Sequence, residues 1–352
     1  MRKLASVQTV SAAEPIPSAD AIEKVRVLGW WVVVKKGEFK PGDKVVYCEI
    51  DALLPERAAF EFLRPNCYKP AQTEASGAVT QEAGFRIKTI KLRGQVSQGI
   101  CFPLSVLPDG APTDEDADVT DALGVRKWEP PQTVGMGGRV KGSFPGFLSK
   151  TDETRVQVLE KVIERHRGRA FYMTEKLDGT SFTAFVREGE FGVCSRNMLL
   201  DTTDEASVLI RVAKRLDLEE KLRGFGAARG FEAAIQGEVV GPGVQQNKYA
   251  LPEVTLRVFN VFDVSTFRFL NHADVLAAIA EMGLDAVPQL GTVVLNHCVD
   301  ELVALSEGTS VLNPKAQREG IVLRPLIEVE DEYLGRLSFK AINPKFLLKY
   351  DE

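Results

Sequence analysis

The first hundred residues contain short hydrophobic runs that polar segments separate. Residues 25–36 (VRVLGWWVVVKK), 43–50 and 85–104 are rich in β-branched and aromatic residues and are bounded by turn signals such as Pro-Gly-Asp, a pattern typical of strands. Residues 64–84 are polar, with glycine and proline, and predict a long loop. Because no strong helix pattern interrupts these strands, we predict a small β-barrel.

The pattern changes between residues 112 and 138. An acidic stretch at 112–124 (PTDEDADVTDALG) precedes the proline- and glycine-rich residues 130–138, and we interpret both as a linker. The sequence therefore predicts two domains, residues 1–130 and residues 131–352.

Helical and extended patterns alternate in the second domain. Residues 151–168 have an apolar stripe at helical spacing, Thr151 or Asp152 as the N-cap, and arginines near the end, so they predict a helix. Further helices are predicted near residues 204–222, 273–283 and 299–307, and strands at 231–240, 255–264, 320–325 and 336–341. This alternation indicates an α+β domain.

Composition and charge exclude a few classes of protein. The chain has 352 residues, a net charge of -5 and three histidines, so neither a polycation nor a His/Cys zinc site is expected. The five cysteines are scattered and form no C-x-x-C pair, which favours reduced thiols in the cytoplasm, or in the nucleus of a eukaryote. No apolar stretch reaches the roughly 18 residues of a membrane span, so no such span is expected. We also expect a monomer.

One segment of the first domain is locally basic. Residues 83–108 contain basic residues and no acidic one, and a strand through Arg86 and Lys88 would present both on one face. A nucleic-acid-binding surface and an ordinary solvated face both fit this pattern. The candidate nucleic-acid contacts are Lys35, Lys36, Arg86, Lys88, Lys91 and Arg93.

The second domain carries a lysine-centred sequence, MTEKLDGTSF, at residues 173–182. A K-x-D-G pattern after an apolar strand is a weak signal alone, because so short a pattern often arises by chance. Further segments follow it along the chain: SRN (195–197), QGEVVG (236–241), FNVFDV (259–264), EGIVLR (319–324) and LSFKAINPK (337–345).

In order, spacing and residue type, these segments resemble the six collinear nucleotidyltransferase motifs of ligases and capping enzymes. The whole chain resembles the Deinococcus- and Naegleria-type nick-sealing RNA ligases, the fifth RNA ligase family. The resemblance implies an α+β fold, with an N-terminal OB-like β-barrel followed by a ligase-type nucleotidyltransferase domain of antiparallel sheets flanked by helices. It also implies an ATP-dependent RNA ligase that uses Mg²⁺ or Mn²⁺. Such an enzyme seals 3′-OH/5′-phosphate nicks in RNA or RNA/DNA duplexes, with RNA at the 3′-OH side.

The resemblance makes Lys176 the nucleophile that carries AMP and Lys340 the cation at the α-phosphate. Attack on ATP requires an uncharged amine, whereas free lysine has a pKa of about 10.4. We expect the positive charge of Lys340, together with a metal ion, to disfavour the ammonium form of Lys176.

Three acidic residues are the expected metal ligands, acting through water. Asp178 follows Lys176 by two positions, although it could instead cap the turn at Gly179. Glu238 and Glu319 lie among apolar strand residues, where an unpaired carboxylate is costly. Structural ion pairs would satisfy them, but the resemblance makes them contacts to the ribose or to hydrated Mg²⁺ or Mn²⁺, with Glu319 required for catalysis.

The resemblance also implies contacts to the nucleoside. It makes Phe259 the aromatic residue that stacks on adenine, while Phe262 is expected in the core. Glu175 would help to read adenine. Arg196 would contact sugar or phosphate unless it forms a surface salt bridge.

Two further basic residues are candidate phosphate contacts. Arg155 would meet the β- and γ-phosphates, although a residue in the first turn of a helix is as easily solvated. Lys345 is the weaker candidate. The family often has a second lysine two residues after the one at Lys340, and Ile342 takes that place here.

Two other classes of protein compete with this interpretation. A DNA ligase or capping enzyme shares the central motifs but usually has a C-terminal OB domain, whereas this chain ends soon after Lys340. A non-catalytic nucleic-acid-binding module would not need Lys176 or the two glutamates. The Walker loop G-x-x-x-x-G-K-[ST] does not occur, so P-loop chemistry is not supported.

Overall fold

The computed structural model describes residues 3–73, 79–129 and 138–350. The chain forms two compact units, Met1–Pro131 together with Pro344–Glu352, and Gln132–Asn343. The interpretation of residues 112–124 as a linker was wrong, because Val119 and Leu123 are buried in the core of the first unit. Of the predicted linker at 130–138, residues 130–137 lie outside the described residues.

The first unit consists mainly of short antiparallel strands. A five-stranded sheet has the order β12-β4-β1-β2-β3, a four-stranded sheet has the order β13-β5-β9-β6, and β7–β8 and β10–β11 are hairpins. In chain order the elements are β1 Ala5–Pro15, β2 Ile22–Val27, β3 Trp30–Lys35, β4 Lys44–Cys48, β5 Ala52–Pro55, α1 Arg64–Cys67, β6 Tyr68–Lys69, β7 Gln72–Thr73, β8 Val79–Gln81, β9 Gly84–Arg86, β10 Ile90–Leu92, β11 Gln95–Ser97, β12 Ile100–Pro103, α2 Thr120–Leu123 and β13 Arg126–Lys127.

The long first strand curves the larger sheet of this unit. β1 pairs with β4 through its first half and with β2 through its second half, and the register shifts between Val10 and Ala12. Such a bulge bends a strand and increases its twist. The strands predicted at 25–36, 43–50 and 85–104 are present, whereas the predicted loop at 64–84 contains α1 and short strands in its described part.

The second unit contains two large sheets. Their orders are β14-β19-β18-β17-β20-β21-β22 and β15-β27-β24-β16-β23, and β25–β26 is a hairpin. The elements are β14 Val140–Ser143, β15 Thr154–Arg155, α3 Glu160–Arg165, β16 Ala170–Lys176, β17 Thr180–Arg187, β18 Glu190–Cys194, β19 Met198–Leu200, α4 Val208–Arg215, α5 Leu218–Arg229, β20 Ala233–Val240, β21 Thr255–Asp263, β22 Arg268–Phe269, α6 His272–Glu281, β23 Gln289–Val294, α7 Val299–Ser306, β24 Gly320–Pro325, β25 Glu330–Asp331, β26 Gly335–Arg336 and β27 Phe339–Ile342. The last helix, α8 Pro344–Tyr350, belongs to the first unit.

Helices cover one face of each large sheet. Apolar residues of α4, α5 and α6 pack with the seven-stranded sheet, and those of α3 and α7 pack with the five-stranded sheet. Antiparallel pairing dominates, while β15 pairs in parallel with β27. The predicted α+β arrangement of antiparallel sheets flanked by helices is confirmed.

Two predicted helices differ from the structure. Residues 151–168 do not form one helix: Thr154–Arg155 pair with β27, a 3-10 turn follows, and α3 begins at Glu160. The apolar stripe is nevertheless buried, so main-chain pairing with a neighbouring strand has overridden local helix propensity. The helix predicted near 204–222 is two helices, separated at Asp217, which has a positive φ of 50°.

None of the helices in the described ranges has the length and apolar character needed to cross a bilayer. The five cysteines all lie within those ranges, and none of them forms a disulfide.

Candidate active site

Neighbouring strands of the five-stranded sheet bring the predicted catalytic residues together. β24 lies between β16 and β27, and Lys176, at the end of β16, pairs with Gly320. Glu319 immediately precedes β24, and Lys340 lies on β27. A Cβ atom at Gly320 would be 2.3 Å from the carbonyl oxygen of Ala341, so glycine is needed for this close approach.

Lys176 forms an ion pair with Glu319. Its Nζ donates a 2.6 Å hydrogen bond to Glu319 Oε1, and the side chains are only 26% and 11% exposed. Burial would lower the pKa of Lys176, but the negative charges of Glu319, Glu238 and Asp178 outweigh it and raise that pKa well above its usual range. The carboxylates alone therefore favour the ammonium form of Lys176. That Lys340 and a metal ion together disfavour this form stays a prediction.

Asp178 and Glu238 complete an acidic cluster around Lys176. Burial raises the pKa of Glu238 to about 8; the charge of Lys176 opposes this shift, while those of Glu319 and Asp178 reinforce it. Burial and the charge of Glu319 also raise the pKa of Asp178 to about 6, although Lys248 is ion-paired with its carboxylate. The positive charge around these two half-buried carboxylates is therefore too small to offset burial and the charge of Glu319.

The turn after β16 is held by its backbone as well. The Asp178 N–H donates a 2.6 Å hydrogen bond to the Tyr249 hydroxyl. A Cβ atom at Gly179 would lie 2.4 Å from the carbonyl oxygen of Val239 and 2.8 Å from Cγ of Glu238, so glycine lets the turn approach Glu238. Sequence reasoning missed Lys248 and Tyr249, because the segment that contains them has no hydrophobic period or recognisable motif.

The acidic cluster suits a hydrated divalent cation. Across residues 3–73, 79–129 and 138–350, no group of three or more His, Cys, Asp or Glu side chains is arranged to hold a metal ion directly. Yet Oε2 of Glu319 is buried and has no hydrogen-bond partner among these residues. Carboxylate oxygens are donors that Mg²⁺ and Mn²⁺ prefer. Asp178, Glu238 and Glu319 thus fit an ion that keeps its water shell.

Lys340 has a different electrostatic environment. Burial lowers its pKa to about 8, a shift that Asp152 opposes and the positive charges of Lys176 and Arg155 reinforce. Asp152 accepts hydrogen bonds from Lys340 Nζ at 3.1 Å and from Arg196 Nη2 at 2.8 Å. Arg196 lies in the turn between β18 and β19, so one carboxylate links cations that the two large sheets supply.

The predicted phosphate contacts Arg155 and Lys345 lie in different units. Arg155 is half-buried on β15 and pairs with Lys340 in the register, instead of lying in the first turn of a helix. Lys345 is exposed on α8, in the first unit, and its phosphate contact stays a prediction. Ile342 is buried and so is not a second phosphate contact.

Glu175 has one carboxylate oxygen available for a ligand. The residue is 2% exposed, and its Oε2 accepts a 2.8 Å hydrogen bond from the Val311 N–H. Oε1 is buried without a hydrogen-bond partner in the described part of the chain. Burial raises the pKa of Glu175. An amino group that donates to Oε1 would satisfy this atom.

A β-bulge distinguishes Phe259 from Phe262. The register of β20 with β21 shifts between Gln236 and Gly237, which makes Phe259 the extra residue. Bulges re-aim side chains and are common beside active sites. Phe259 is half-buried, and the Arg324 guanidinium lies 5.5 Å from its ring centroid. Phe262 is buried in the core, as predicted.

A buried ion pair fixes the segment that carries Asp152. Arg324, on β24, donates a 2.5 Å hydrogen bond from Nη2 to Glu153 Oε1, and its Nε donates to the Ser338 hydroxyl at 3.1 Å. Sequence reasoning missed this pair. The signal was an arginine in the otherwise apolar strand IVLRP, a position that requires a buried partner.

The first unit contradicts one predicted nucleic-acid contact. Arg86 is 5% exposed, forms an ion pair with Asp51, and stacks on Trp128 with 3.8 Å from Cζ to the ring centroid. Its charge is used inside the unit, so the prediction that Arg86 contacts nucleic acid is wrong. β9 ends at Arg86, and Lys88 is half-buried beyond it. The four exposed candidates are Lys35, Lys36, Lys91 and Arg93.

Comparison with known proteins agrees with this fold and site. A family model described as an OB-fold domain matches residues 4–104, and one described as RNA ligase matches residues 169–342. The Naegleria gruberi RNA ligase with PPi is 34% identical, with a TM-score of 0.89, and the match covers 100% of this chain and 99% of that chain. A variant of that enzyme with ATP and Mn gives the same identity and TM-score and covers 100% of both chains.

Another variant, with AMP and Mn, is 34% identical, with a TM-score of 0.87 and 98% of each chain covered. A comparison with curated protein sequences gave no match. The chain thus combines an N-terminal OB-fold domain with a ligase-type domain, as predicted. It belongs to the RNA ligase family.

Proposed function

We propose that this protein is an ATP-dependent RNA ligase that seals 3′-OH/5′-phosphate nicks, with RNA at the 3′-OH side, through AMP on Lys176. The observation that carries the proposal is the 2.6 Å pair of Lys176 with Glu319 beside the half-buried acids Asp178 and Glu238. The solved relatives are described with PPi, with ATP and Mn, and with AMP and Mn. They include variants at a lysine and at an aspartate two residues later, the spacing of Lys176 and Asp178.

In the first step, Lys176 Nζ attacks the α-phosphorus of ATP. An N–P bond forms, the bond from the α-phosphorus to the bridging oxygen breaks, and pyrophosphate leaves. The ammonium form of Nζ must lose one proton before the attack and a second as the N–P bond forms. Glu319 Oε1, 2.6 Å away, is placed to accept the first, and the second passes to solvent. Lys340 and Arg196 would stabilise charge at the α-phosphate, and Arg155 would do so at the β- and γ-phosphates.

The acidic cluster would hold Mg²⁺ or Mn²⁺ through water, with Asp178, Glu238 and Glu319 as the outer contacts. When bound, the ion supplies positive charge that offsets these carboxylates, favours the neutral amine of Lys176 and stabilises the phosphate oxygens. Phe259 would stack on the adenine ring, and Oε1 of Glu175 would accept a hydrogen bond from its amino group.

The two later steps transfer AMP to the 5′-phosphate end of the nick and then join the strands. The 3′-hydroxyl attacks the activated phosphate, a phosphodiester forms, and AMP leaves.

We propose that the OB-fold domain contributes nucleic-acid contacts through its exposed lysines and arginine, since a duplex backbone attracts cationic side chains. We also propose a cytoplasmic monomer, or a nuclear one in a eukaryote. The exposed candidates are Lys35, Lys36, Lys91 and Arg93, and the half-buried Lys88 is a further one. Lys345 is instead proposed as a contact to a phosphate of the nucleotide.

Labelled ATP tests the central assignment. The chain should acquire labelled AMP from ATP in the presence of Mg²⁺ or Mn²⁺, but no label from GTP, through an acid-labile phosphoramidate bond. Lys176→Ala should abolish labelling and the sealing of a nicked duplex with RNA at the 3′-OH side, whereas Lys161→Ala, an exposed lysine on α3, should not. Equal labelling of Lys176→Ala and the unmodified protein would refute the assignment.

A further inference from the structure

The carboxylate of Asp152 bridges two cations of the proposed nucleotide site. Oδ1 accepts from Lys340 and Oδ2 accepts from Arg196. The Lys340 side chain is 16% exposed, whereas that of Asp152 is 56% exposed. A phosphate group offers the same arrangement, with separate oxygens that each accept a charge-assisted hydrogen bond.

The segment that carries Asp152 is anchored on both sides. Gln236 Nε2 donates a 2.6 Å hydrogen bond to the carbonyl oxygen of Ser149, and the hydroxyls of Thr151 and Ser181 lie 3.1 Å apart. The next residue, Glu153, forms the buried ion pair with Arg324 described above. Neighbouring acids therefore have separate uses: Glu153 fixes the segment, and Asp152 reaches the two cations.

Asp152 and a phosphate group cannot share these cations without electrostatic cost. Burial would raise the pKa of Asp152, but Lys340 and Arg196 hold it well below its usual range, so the carboxylate is an anion at neutral pH. A nucleotide phosphate at the same cations would meet this negative charge at short range, where like charges repel. The exposed side of Asp152 leaves it room to turn towards solvent.

We propose that Asp152 is a stand-in anion, which holds Lys340 and Arg196 in place and is displaced by a phosphate group of ATP. The inference rests on the proposed function, because it takes these two cations as nucleotide contacts. Asp152 is then a positioning residue that limits nucleotide affinity. An ordinary surface ion pair would have no such effect, since it does not compete with a ligand.

The test measures nucleotide binding without chemistry. The probe is α,β-methylene ATP, in which the bond to the leaving group cannot be cleaved, and calorimetry gives its Kd with Mg²⁺ present. Asp152→Asn should bind this analogue roughly three- to thirtyfold more tightly than the unmodified protein, the range expected from losing two partly exposed ion pairs. Asp152→Glu keeps the charge and should stay close to the unmodified Kd. The KM for ATP in self-adenylylation should fall in Asp152→Asn.

A matched control separates competition from net charge. Asp201→Asn removes the same charge from an acid that pairs with Arg139 at 3.5 Å, and its Kd should not change. Equal or weaker binding by Asp152→Asn would overturn the inference while leaving the proposed function intact. Failure of all variants and of the unmodified protein to bind the analogue, together with absent AMP labelling, would overturn the proposed function and the inference with it.

Discussion

Lys176 and Lys340 are lysines of the same sheet, on strands that a single strand separates, yet their pKa values shift in opposite directions. Burial lowers the pKa of both. Three carboxylates surround Lys176 and reverse that effect, whereas Lys340 has cationic neighbours as well as Asp152 and Glu153. Burial is the largest single contribution for both lysines, and the balance of neighbouring charges decides whether its effect on the pKa is reversed.

The pKa of each lysine and its location in the site favour different lysines as the nucleophile. At neutral pH Lys340 loses its proton more easily, so pKa alone would make it the better nucleophile. Lys176 instead has an acid within hydrogen-bond distance to accept its proton and lies at the centre of the acidic cluster. In the proposed reaction its amine would become available once positive charge offsets that cluster, which would tie the reaction to the bound nucleotide and metal ion.

The strongest test of this comparison removes Lys340 or Glu319. Lys340→Ala and Glu319→Ala should each reduce sealing by about a hundredfold or more, because one loses charge stabilisation at the phosphate and the other loses the proton acceptor of Lys176. Peptide mapping of the labelled protein should find AMP on Lys176.

Melting temperatures provide the control for this test. Both variants should melt close to the unmodified protein, as should Lys161→Ala and Glu160→Ala, exposed residues of α3 that should also keep full activity. AMP on Lys340, or a collapse of stability without these side chains, would mean that the roles of the two lysines are reversed or that the residues are structural.

The sequence indicated the central site because several short segments resemble, in order and spacing, the motifs of a known family. Lys176, Glu238 and Glu319 each lie beside an apolar strand, so short segments with charged residues at buried positions were recognisable. Residues held only by tertiary contacts gave no comparable signal. Lys248 reaches Asp178 from a segment without a pattern, and Arg86 turned out to be buried because its partners Asp51 and Trp128 are distant in sequence.

The same limit explains the error at residues 151–168. The spacing of Val156, Leu159, Val162 and Ile163 correctly predicted a buried stripe. It could not show that Thr154 and Arg155 would pair with β27, since that strand lies far along the chain. This pairing places Asp152 and Arg155 beside Lys340. The position of Arg155 on a strand and the contact of Asp152 with Lys340, which sequence analysis did not foresee, therefore depend on long-range strand pairing.

The pH dependence of stability tests whether ionised Glu238 opposes folding. Its pKa is raised from 4.5 to about 8 in the folded protein, so ionised Glu238 opposes folding. This cost is absent below about pH 4.5, where the side chain is protonated in both states, and grows as the pH rises towards 8. Glu238→Gln should therefore stabilise the protein by about 1–2 kcal/mol at pH 8.5, and much less at pH 5, while sealing is lost. Thermal melts at the two pH values measure this difference, and a destabilised variant at pH 8.5 would show that Glu238 is satisfied by an ion pair.

The pH dependence of nucleotide binding tests whether the charge of Lys340 contributes to phosphate affinity. With a pKa of about 8, Lys340 is charged below that pH and loses its proton above it. The affinity for α,β-methylene ATP should therefore fall by up to about tenfold between pH 7 and pH 9, because the charged form binds phosphate better. Lys340→Arg should flatten this fall, since a guanidinium keeps its charge throughout that range.

Lys161→Arg is the matched control and should retain the slope of the unmodified protein. An unchanged slope in Lys340→Arg would assign the titration to another group and remove the contrast between the two lysines, whereas a flattened slope would identify Lys340 as the cation that senses pH at the phosphate.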